Sequence, residues 1–446
     1  MVGQATRMAA QPRKFDVVIF GATGFTGSLA CEHLARRLVS DEKLSPSKFA
    51  IAARSSEKVE SLKQRLSQEV SPCFSSVASL VGDASDEDFL KDMCSSTSCV
   101  LSYVGPYLKY GLPLARACVE HECDYCDITG EATFQLELLK LHDEAKRKGV
   151  KLVTSCGYDS VPFDLASLQL VRNLRKRAGP SGGVTVCVQA CTGPSKGGVS
   201  GGTIDSAGSF VGVSLDNRCL DPLSGEADGV GPSPRPFSSR QYHPPSGTFL
   251  APSVMEPVNA KVVYRTRGLL PDLFGDFVFQ QFTSTKTRLG AWALTAAMGV
   301  IEALLGSASV RNFLIARGVL PKPGEGPSKE LRDTGYMNEY VYGDLGGLSA
   351  VVHVKGRGGD PGYKLTSAMS LQTALCLAAG EGAGLGGGVL TPASCLGEAL
   401  AEKLEACGVT FELHEDVSSV QVFGASSSID AAGAGVQTEK AKANVV

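Results

Sequence analysis

The stretch that decides the fold is Phe15-Asp-Val-Val-Ile-Phe-Gly-Ala-Thr-Gly-Phe-Thr-Gly27. Val17 to Phe20 is an unbroken apolar run, as expected of a strand that is buried on both faces of a parallel sheet. Three glycines spaced three residues apart follow it, and Ser28 to Leu38 is predicted to form a helix. The order of strand, glycine turn and helix indicates the first unit of a parallel α/β domain that binds a nucleotide.

Each glycine of the turn has a physical role in that interpretation. Gly21 permits the tight turn, Gly24 lets the backbone approach a pyrophosphate, and Gly27 lets the helix pack close to the strand. The start of the helix adds unpaired N–H groups and a positive dipole end. The predicted cofactor-binding residues of the turn are Gly21, Ala22, Thr23, Gly24, Phe25, Thr26 and Gly27. The alternative is a glycine-rich turn that binds nothing.

Composition restricts the class of protein. The chain has 446 residues, 43% of them hydrophobic and 20% charged, which predicts two globular domains and a tail. Its net charge of −3 argues against a nucleic-acid-binding protein. Fourteen cysteines without a secretory signal indicate reduced thiols and a cytoplasmic location. The first fourteen residues are basic, so a mitochondrial location is an alternative to a simple flexible N-terminus.

The densest group of metal-ligand residue types is Cys118, His121, Cys123 and Cys126. A zinc site is one interpretation of this group, but no second ligand pair follows at finger spacing. The prediction is therefore that the protein holds no metal, with Cys118 on the core face of a helix and Cys126 entering a strand.

Residues at the ends of the next predicted strands bear on the choice of cofactor. Phe49 to Ala53 is the second strand, and Arg54 follows it where NAD-binding domains usually place an acid. A basic residue there suits a 2′-phosphate, so NADP is predicted, with NAD as the alternative. Asp83 follows the third strand, near the expected adenine. Gly105-Pro106 follows the fourth strand at the edge where such sheets bind ligands.

The second half of the chain changes pattern. Predicted strands suggest a mostly antiparallel sheet, with a helix at 197–211 and a long surface loop at 220–253. The strands are 183–190, 260–266, 275–279 and 349–355. The predicted division is a flexible N-terminus at 1–14, a Rossmann-type domain at 15–165, an α+β domain at 166–362, C-terminal helices at 363–416 and a disordered tail at 417–446.

A set of short motifs along the chain resembles the saccharopine dehydrogenase-like oxidoreductases. The motifs are the glycine turn, Val104-Gly-Pro-Tyr107, Tyr125-Cys-Asp-Ile-Thr-Gly-Glu131, Cys156-Gly-Tyr-Asp-Ser-Val-Pro162, Ser200-Gly-Gly-Thr-Ile-Asp-Ser206 and Gly388-Val-Leu-Thr-Pro-Ala393. The chain is similar to lipid-droplet-associated eukaryotic members and to bacterial trans-acting enoyl reductases. The resemblance implies a second domain that faces a cofactor cleft, and C-terminal helices that return to the first domain. Ala53, Tyr158 and Phe163 depart from commoner family residues.

No familiar catalytic signature supplies the proton donor. The Tyr-x-x-x-Lys pair of short-chain reductases is absent at every tyrosine. The candidates are side chains in loops at predicted strand ends: Tyr107, Asp127, Glu131, Tyr158 and Asp159. Asp127 and Asp159 could instead cap helices or fix loops, and the two tyrosines could form an aromatic wall of the cleft.

The stretch from Leu289 to Val310 is apolar on every face, with Glu302 its one charge and basic residues on both sides. A buried helix, a hairpin on a lipid surface and a membrane span are the three interpretations. The resemblance favours peripheral contact with a lipid droplet or membrane.

Two functions follow from these observations. The first is an NAD(P)-dependent oxidoreductase that reduces a C=C, C=O or C=N bond in a lipid-related or other small substrate. The second is a nucleotide-binding scaffold on a lipid surface with little turnover. A homodimer is compatible with either function.

Overall fold

A computed structural model of the chain describes residues 13–179, 184–198, 215–223, 240–322, 325–382 and 384–423. Its first sheet has seven strands: β1 Phe15–Phe20, β2 Phe49–Ala53, β3 Ala78–Val81, β4 Thr97–Ser102, β5 Asp124–Asp127, β6 Lys151–Val153 and β13 Gly388–Leu390. All neighbours pair in parallel, in the order β3-β2-β1-β4-β5-β6-β13. The first six strands of this order are those of the doubly wound dinucleotide-binding fold.

Helices connect these strands and cover both faces of the sheet. They are α1 Phe25–Ser40, α2 Ser56–Glu69, α3 Glu87–Ser96, α4 Tyr107–Glu120, α5 Ala132–Leu138, α6 His142–Lys148 and α7 Val161–Ala178. Val17, Val18 and Ile19 are fully buried although they point to alternate faces of β1. This burial on both faces explains why the central strand is apolar without a break.

The second sheet also has seven strands: β7 Val186–Thr192, β8 Tyr242–His243, β9 Thr248–Pro252, β10 Phe277–Thr285, β11 Met337–Leu345, β12 Leu348–Gly356 and β14 Val409–His414. Their order is β14-β12-β11-β7-β10-β9-β8, and every pair except β10 with β7 is antiparallel. The predicted fold class, a Rossmann-type domain plus a mostly antiparallel second domain, is confirmed.

The remaining helices are α8 Glu256–Leu269, α9 Pro271–Phe274, α10 Arg288–Gly306, α11 Ala308–Ala316, α12 Lys329–Asp333, α13 Thr366–Ala378, α14 Pro392–Cys395 and α15 Glu398–Glu405. A single π-helical turn, Pro361–Leu365, precedes α13. α7 packs on β11 and β12, while α13 packs on α1 and β4. The buried apolar cluster consequently runs without a break from β1 through α7 into β11.

The C-terminal part of the chain serves both sheets. α13 lies against the first domain, and β13 extends its sheet beyond β6, whereas β14 pairs with β12 in the second sheet. The segment 363–416 therefore does not return as a whole to the first domain. Strand β14, within this segment, belongs to the second sheet instead.

Several sequence-based predictions in the second half are wrong. The strand predicted at 260–266 is part of α8, because Pro257 opens a helix whose residues from Asn259 to Thr266 are all buried. The long loop predicted at 220–253 contains β8 and β9, and residues 224–239 lie outside the described part. The helix predicted at 197–211 falls largely on residues 199–214, which also lie outside it.

The predicted tail begins too early. Residues Val417–Ser419 form a 3₁₀ turn, and Val420 and Val422 are buried in a cluster with Phe282 of β10. Apolar packing on the second sheet therefore holds the chain as far as residue 423, and residues 424–446 lie outside the described part. At the other end, Arg13 is already fixed by hydrogen bonds, and residues 1–12 lie outside the described part.

The apolar stretch at 289–310 forms two helices rather than one. α10 ends at Gly306, and Ser307 begins α11 by accepting a hydrogen bond at its hydroxyl from the N–H of Val310. Leu289 is 79% exposed and Ile301 54%, so the interpretation as a buried core helix is wrong for these faces. Within the described residues, we find no helix that combines the length and the apolar character needed to cross a membrane.

Candidate functional site

The glycine turn after β1 has the geometry of a ligand cradle. Gly21 has a φ of +83°, and a Cβ atom there would lie 3.0 Å from Val104. On Gly27 a Cβ atom would lie 2.2 Å from the Gly21 carbonyl oxygen. On Gly24, which is exposed, it would meet that oxygen at 3.3 Å. Gly21 and Gly27 thus serve the protein's own packing, while Gly24 leaves open space in front of the turn.

The start of α1 is available to an anion. Gly24 is its N-cap, no side chain caps the helix, and its first turn carries no acid. The first N–H groups of a helix have no partner within the helix, and they lie at the positive end of its dipole. A pyrophosphate group fits this position by charge and by hydrogen bonding.

The other residues of the turn surround this space. Ala22 is buried, while Thr23 and Thr26 are partly exposed. The Phe25 ring packs edge-on against Tyr363 at 5.1 Å and lies under the Arg332 guanidinium at 5.3 Å. The turn is therefore in contact with the C-terminal half of the chain as well as with its own sheet.

Charged side chains follow β2 and β3 at the same edge of the sheet. Arg54 is exposed directly after β2, and Asp83 follows β3 with its carboxylate accepting hydrogen bonds from Ser85. These hydrogen bonds lower the pKa of Asp83, and the charges of Arg54 and Lys109 lower it further. The charges of Arg54 and Lys109 thus both act on a carboxylate at the edge of the sheet where the adenosine half of a dinucleotide lies in this fold.

The end of β4 presents backbone rather than catalytic side chains. Gly105 and Pro106 are exposed just before α4. Glu131 is buried beneath them, and its two carboxylate oxygens accept hydrogen bonds from the N–H groups of Tyr107 and Leu108, each at 3.0 Å. The Tyr107 hydroxyl is also buried and donates to the Ser102 carbonyl oxygen at 3.2 Å. These contacts favour a positioning role for both side chains at the start of α4.

Asp127, at the end of β5, is held by neighbours on three sides. It accepts hydrogen bonds from the Tyr125 hydroxyl at 2.6 Å and from the N–H groups of Thr129 and Ser155. Burial raises its pKa to about 7. This network fixes the loops after β5 and β6, which favours the loop-fixing interpretation of this carboxylate.

The loop after β6 meets the second sheet through a buried acid. The Tyr158 hydroxyl donates a hydrogen bond to Oε1 of Glu339, on β11, at 2.7 Å. Oε2 of Glu339 is buried and has no hydrogen-bond partner among the described residues. Burial raises the pKa of Glu339 to about 7 and holds that of Tyr158 well above 10. Sequence analysis missed Glu339 because β11 had not been predicted as a strand.

Asp159 lies beside this pair and differs from the other carboxyl groups. Its side chain is exposed, yet the surrounding protein raises its pKa to about 6, with no other cause. Of the five candidate proton donors, the structure brings Tyr158 to Glu339, with Asp159 next to Tyr158 in the chain, while Tyr107, Asp127 and Glu131 are held by hydrogen bonds to neighbouring backbone and side chains.

Comparison with known proteins identifies the family. Residues 17–153 match the model of the saccharopine dehydrogenase NADP-binding domain. A Mycobacterium tuberculosis (strain H37Rv) protein, provisionally named a trans-acting enoyl reductase, is 34% identical over 91% of this chain and 99% of its own length. The trans-acting enoyl reductase of Mycobacterium leprae is 31% identical over 90% of this chain and 98% of its own length. The chain belongs to the saccharopine dehydrogenase-like family of oxidoreductases.

One solved structure is similar to this chain at greater distance. Yeast saccharopine dehydrogenase (L-Glu forming), in its apo histidine-tagged form, is 12% identical, with a TM-score of 0.49 over 89% of this chain and 99% of that one. This likeness is too distant to bear on function. The family model fixes the cofactor as NADP, and the segment that it matches contains the glycine turn, Arg54, Asp83 and Gly105.

Proposed function

We propose that this NADP-dependent oxidoreductase reduces a carbon–carbon double bond conjugated to a carbonyl group in a lipid-related acyl substrate. The observation that carries the proposal is the hydrogen bond between the partly buried Tyr158 and the buried Glu339, next to the exposed Asp159. The names of the mycobacterial relatives support the enoyl substrate class. When bound, NADPH supplies the hydride.

The protein's own task in such a reduction is to deliver a proton and to hold the carbonyl oxygen. Tyr158 follows β6, on the side of the sheet where the nicotinamide half of a dinucleotide lies in this strand order. Its hydroxyl is a neutral donor, because burial keeps its pKa well above 10. We assign Tyr158 as the proton donor toward the substrate.

Glu339 supplies the proton that replaces the one donated by Tyr158. With a pKa of about 7, a substantial share of this carboxyl is protonated at neutral pH. A protonated Glu339 can donate to the Tyr158 oxygen, which leaves the tyrosine proton free for the substrate. After transfer, the Glu339 proton moves to Tyr158 and restores the hydroxyl. We assign to Asp159, which is exposed next to Tyr158 and has a pKa of about 6, the return of a proton from solvent to the Tyr158–Glu339 pair.

The test measures NADPH oxidation by the purified protein. Trans-2-enoyl thioesters of short and long acyl chains are compared with matched saturated ketones and with imines. We expect turnover with the enoyl thioesters and a fall of about 100-fold or more in kcat for Tyr158→Phe. The matched control is Tyr342→Phe on the same strand as Glu339, because its buried hydroxyl has no hydrogen-bond partner among the described residues.

Two outcomes would contradict the proposal. Equal loss of activity in Tyr158→Phe and Tyr342→Phe would show that the Tyr158 hydroxyl has no special role. A protein that binds NADPH but oxidises it with none of these compounds would match the alternative, a nucleotide-binding scaffold.

A second proposal concerns where the enzyme works, and we infer that the α10–α11 surface attaches it to a lipid surface such as a lipid droplet. α10 packs on β9 and β10, with Ala291 fully buried. The two helices α10 and α11 also expose large apolar side chains: Leu289, Trp292, Val300, Ile301, Leu304 and Phe313. Between residues 286 and 322 the sequence has five basic residues and one acid, which favours anionic headgroups.

Flotation with liposomes of neutral or partly anionic lipid tests this attachment. We expect the protein to float with anionic vesicles and the triple variant Leu289→Ser, Trp292→Ser, Ile301→Ser to remain below them. All three positions are at least half exposed, so NADPH binding should be unchanged. The matched control places serine at Val39, Val81 and Val254, which are exposed elsewhere. A triple variant that floats as before, or a wild-type protein that instead covers this face by forming a dimer in solution, would contradict the proposal.

A further inference from the structure

Three cysteines from separate elements meet inside the first domain. Cys94 lies near the end of α3, Cys118 near the end of α4, and Cys123 directly before β5. Their three sulfur atoms lie within 4.8 Å of one another, and the sulfurs of Cys94 and Cys118 are 3.6 Å apart. All three side chains are fully buried.

This cluster lies at the edge of the sheet opposite to the cofactor. Cys123 precedes the first residue of β5, and Cys94 comes three residues before β4 begins, so both are at the amino-terminal edge of these parallel strands. The glycine turn follows the carboxyl end of β1. The four to six residues of each strand separate the two edges by about 13–20 Å. The cluster is therefore no part of the site described above.

A cation is fixed next to the cluster. The Arg13 guanidinium, just before β1, donates hydrogen bonds to the carbonyl oxygens of Cys94 and Ser95 and to that of His121. These carbonyls belong to the two segments that carry the three cysteines. Arg13 thus joins the end of α3 to the turn between α4 and β5, and it brings a positive charge to their surface.

We propose that Cys94, Cys118 and Cys123 form a buried three-thiolate site for a soft monovalent metal ion, Cu⁺. Cysteine sulfur is the ligand that Cu⁺ and Zn²⁺ both favour. Zn²⁺ in structural sites takes four ligands. Among the described residues, no further His, Cys, Asp or Glu ligand atom lies within the same radius of all three sulfurs, and all three side chains are fully buried. Three sulfurs without a fourth ligand suit three-coordinate Cu⁺.

Binding is a ligand exchange without a change of oxidation state. One Cu⁺ forms three bonds to sulfur, and the three thiols release three protons to solvent. The resulting group carries a net charge of −2, which the nearby Arg13 guanidinium partly offsets. Because the site links α3, α4 and β5, the bound ion stabilises the folded domain rather than taking part in the hydride transfer.

The chain offers a matched control in its other buried thiols. Cys126 on β5 is in contact with Cys99 on β4 and with Cys156 in the loop after β6, but these three sulfurs do not form a ligand group. His121 and Cys126, which spacing alone had grouped with Cys118 and Cys123, are likewise outside the cluster. Cys118→Ala and Cys94→Ala remove one ligand each, whereas Cys126→Ala removes a buried thiol of the same kind elsewhere.

The experiment titrates the reduced full-length protein with Cu⁺ under anaerobic conditions, in competition with the chelator bicinchoninate, and repeats the titration with Zn²⁺. We expect one tightly held Cu⁺ per chain, X-ray absorption showing three sulfur neighbours, and a higher Tm with Cu⁺ bound. Cys118→Ala and Cys94→Ala should lose the bound ion, and Cys126→Ala should keep it.

Folding is checked separately, since each variant empties a buried position. NADPH binding at the opposite edge, measured by calorimetry, should be unchanged in all three variants. Failure to hold Cu⁺ against the chelator, or equal loss in Cys126→Ala, would overturn the proposal. Preferential binding of Zn²⁺ with a fourth ligand would also overturn it, because the site would then not be three-coordinate.

Discussion

Gly27 packs so closely on Gly21 that a Cβ atom on Gly27 would lie 2.2 Å from the Gly21 carbonyl oxygen. Gly27→Ala must therefore displace backbone at the start of α1. We expect it to lower the free energy of unfolding by about 1–3 kcal/mol, the usual cost of overpacking. Urea unfolding followed by circular dichroism measures this loss. Unchanged stability would mean that the helix can shift away from the turn freely.

Gly24→Val should separate cofactor binding from folding. The backbone of Gly24 has a φ of −75°, which valine adopts readily, and the added Cβ meets the protein at 3.3 Å. The branched side chain occupies the space that the pyrophosphate needs. We expect NADPH binding to disappear in calorimetry while the Tm stays close to that of the wild type. Retained binding would show that the phosphates lie elsewhere.

Arg54→Asp should change the choice of cofactor. Arg54 is exposed beside the adenosine region, and its charge acts on Asp83 together with that of Lys109. An aspartate there repels a 2′-phosphate and accepts a hydrogen bond from a 2′-hydroxyl. We expect the ratio of the Kd for NADPH to the Kd for NADH to rise at least tenfold. Lys58→Asp, exposed on α2, is the control. Equal weakening of both cofactors would leave Arg54 with a structural role only.

The pH dependence of the rate should report Glu339. If its protonated form restores the Tyr158 proton, kcat falls as pH rises through about 7, since the reserve is then lost. Glu339→Gln keeps the shape but cannot pass on a proton. We expect this variant to have a lower kcat without the decline near pH 7. A variant whose pH profile matches that of the wild type would assign the decline to another group.

The free energy of unfolding should also depend on pH through the Glu339 carboxyl group, and the direction of that dependence follows from its raised pKa. The pKa of Glu339 is raised in the folded protein from its ordinary 4.5 to about 7, so the folded state binds the proton more tightly. Stability from this group is fully present below pH 4.5 and is lost as pH rises to about 7. We expect Glu339→Gln to remove part of this decline, on the order of a few kcal/mol, in urea titrations across that range.

Asp164 joins three helices and should matter for stability rather than for chemistry. It lies in the first turn of α7, is fully buried, and accepts hydrogen bonds from the Thr266 hydroxyl of α8 and from the N–H of Ala393 in α14 at 2.8 Å. Asp164→Ala leaves the Ala393 N–H unpaired and removes one of the two partners of the Thr266 hydroxyl, so we expect a loss of about 1–3 kcal/mol. Asp272→Ala, exposed in α9, should change stability by less than about 0.5 kcal/mol.

The parts of the fold that could be predicted from the sequence are those with local signals. The strand, glycine turn and helix at 15–40 are specified by neighbouring residues, because burial on both faces and the need for small residues leave a visible pattern. Helix α8 was mistaken for a strand because its apolar and polar residues are buried alike, so the helical period of 3.6 was hidden.

Only the part of the candidate site that follows strands of the first sheet could be predicted from the sequence. Tyr158 and Asp159 could be identified because they follow a strand of the first sheet. Glu339 is 181 residues away from Tyr158 in the chain, and the contact between them depends on how α7 packs on β11. Cys94 is likewise 24 residues before Cys118, on a different helix. Contacts of this kind are made by tertiary packing, and no spacing in the sequence encodes them.

The position of β13 has a consequence for how the protein is made. The nucleotide-binding sheet takes its last strand from residues 388–390, and α13, also from the C-terminal part, covers α1 and β4. A ribosome that has released only the first 165 residues has therefore synthesised a domain whose edge and one face are still missing. The apolar surface of that intermediate stays exposed until more than two hundred further residues, which include α13 and β13, have emerged. Chaperones that hold nascent chains have an extended period in which to act on it.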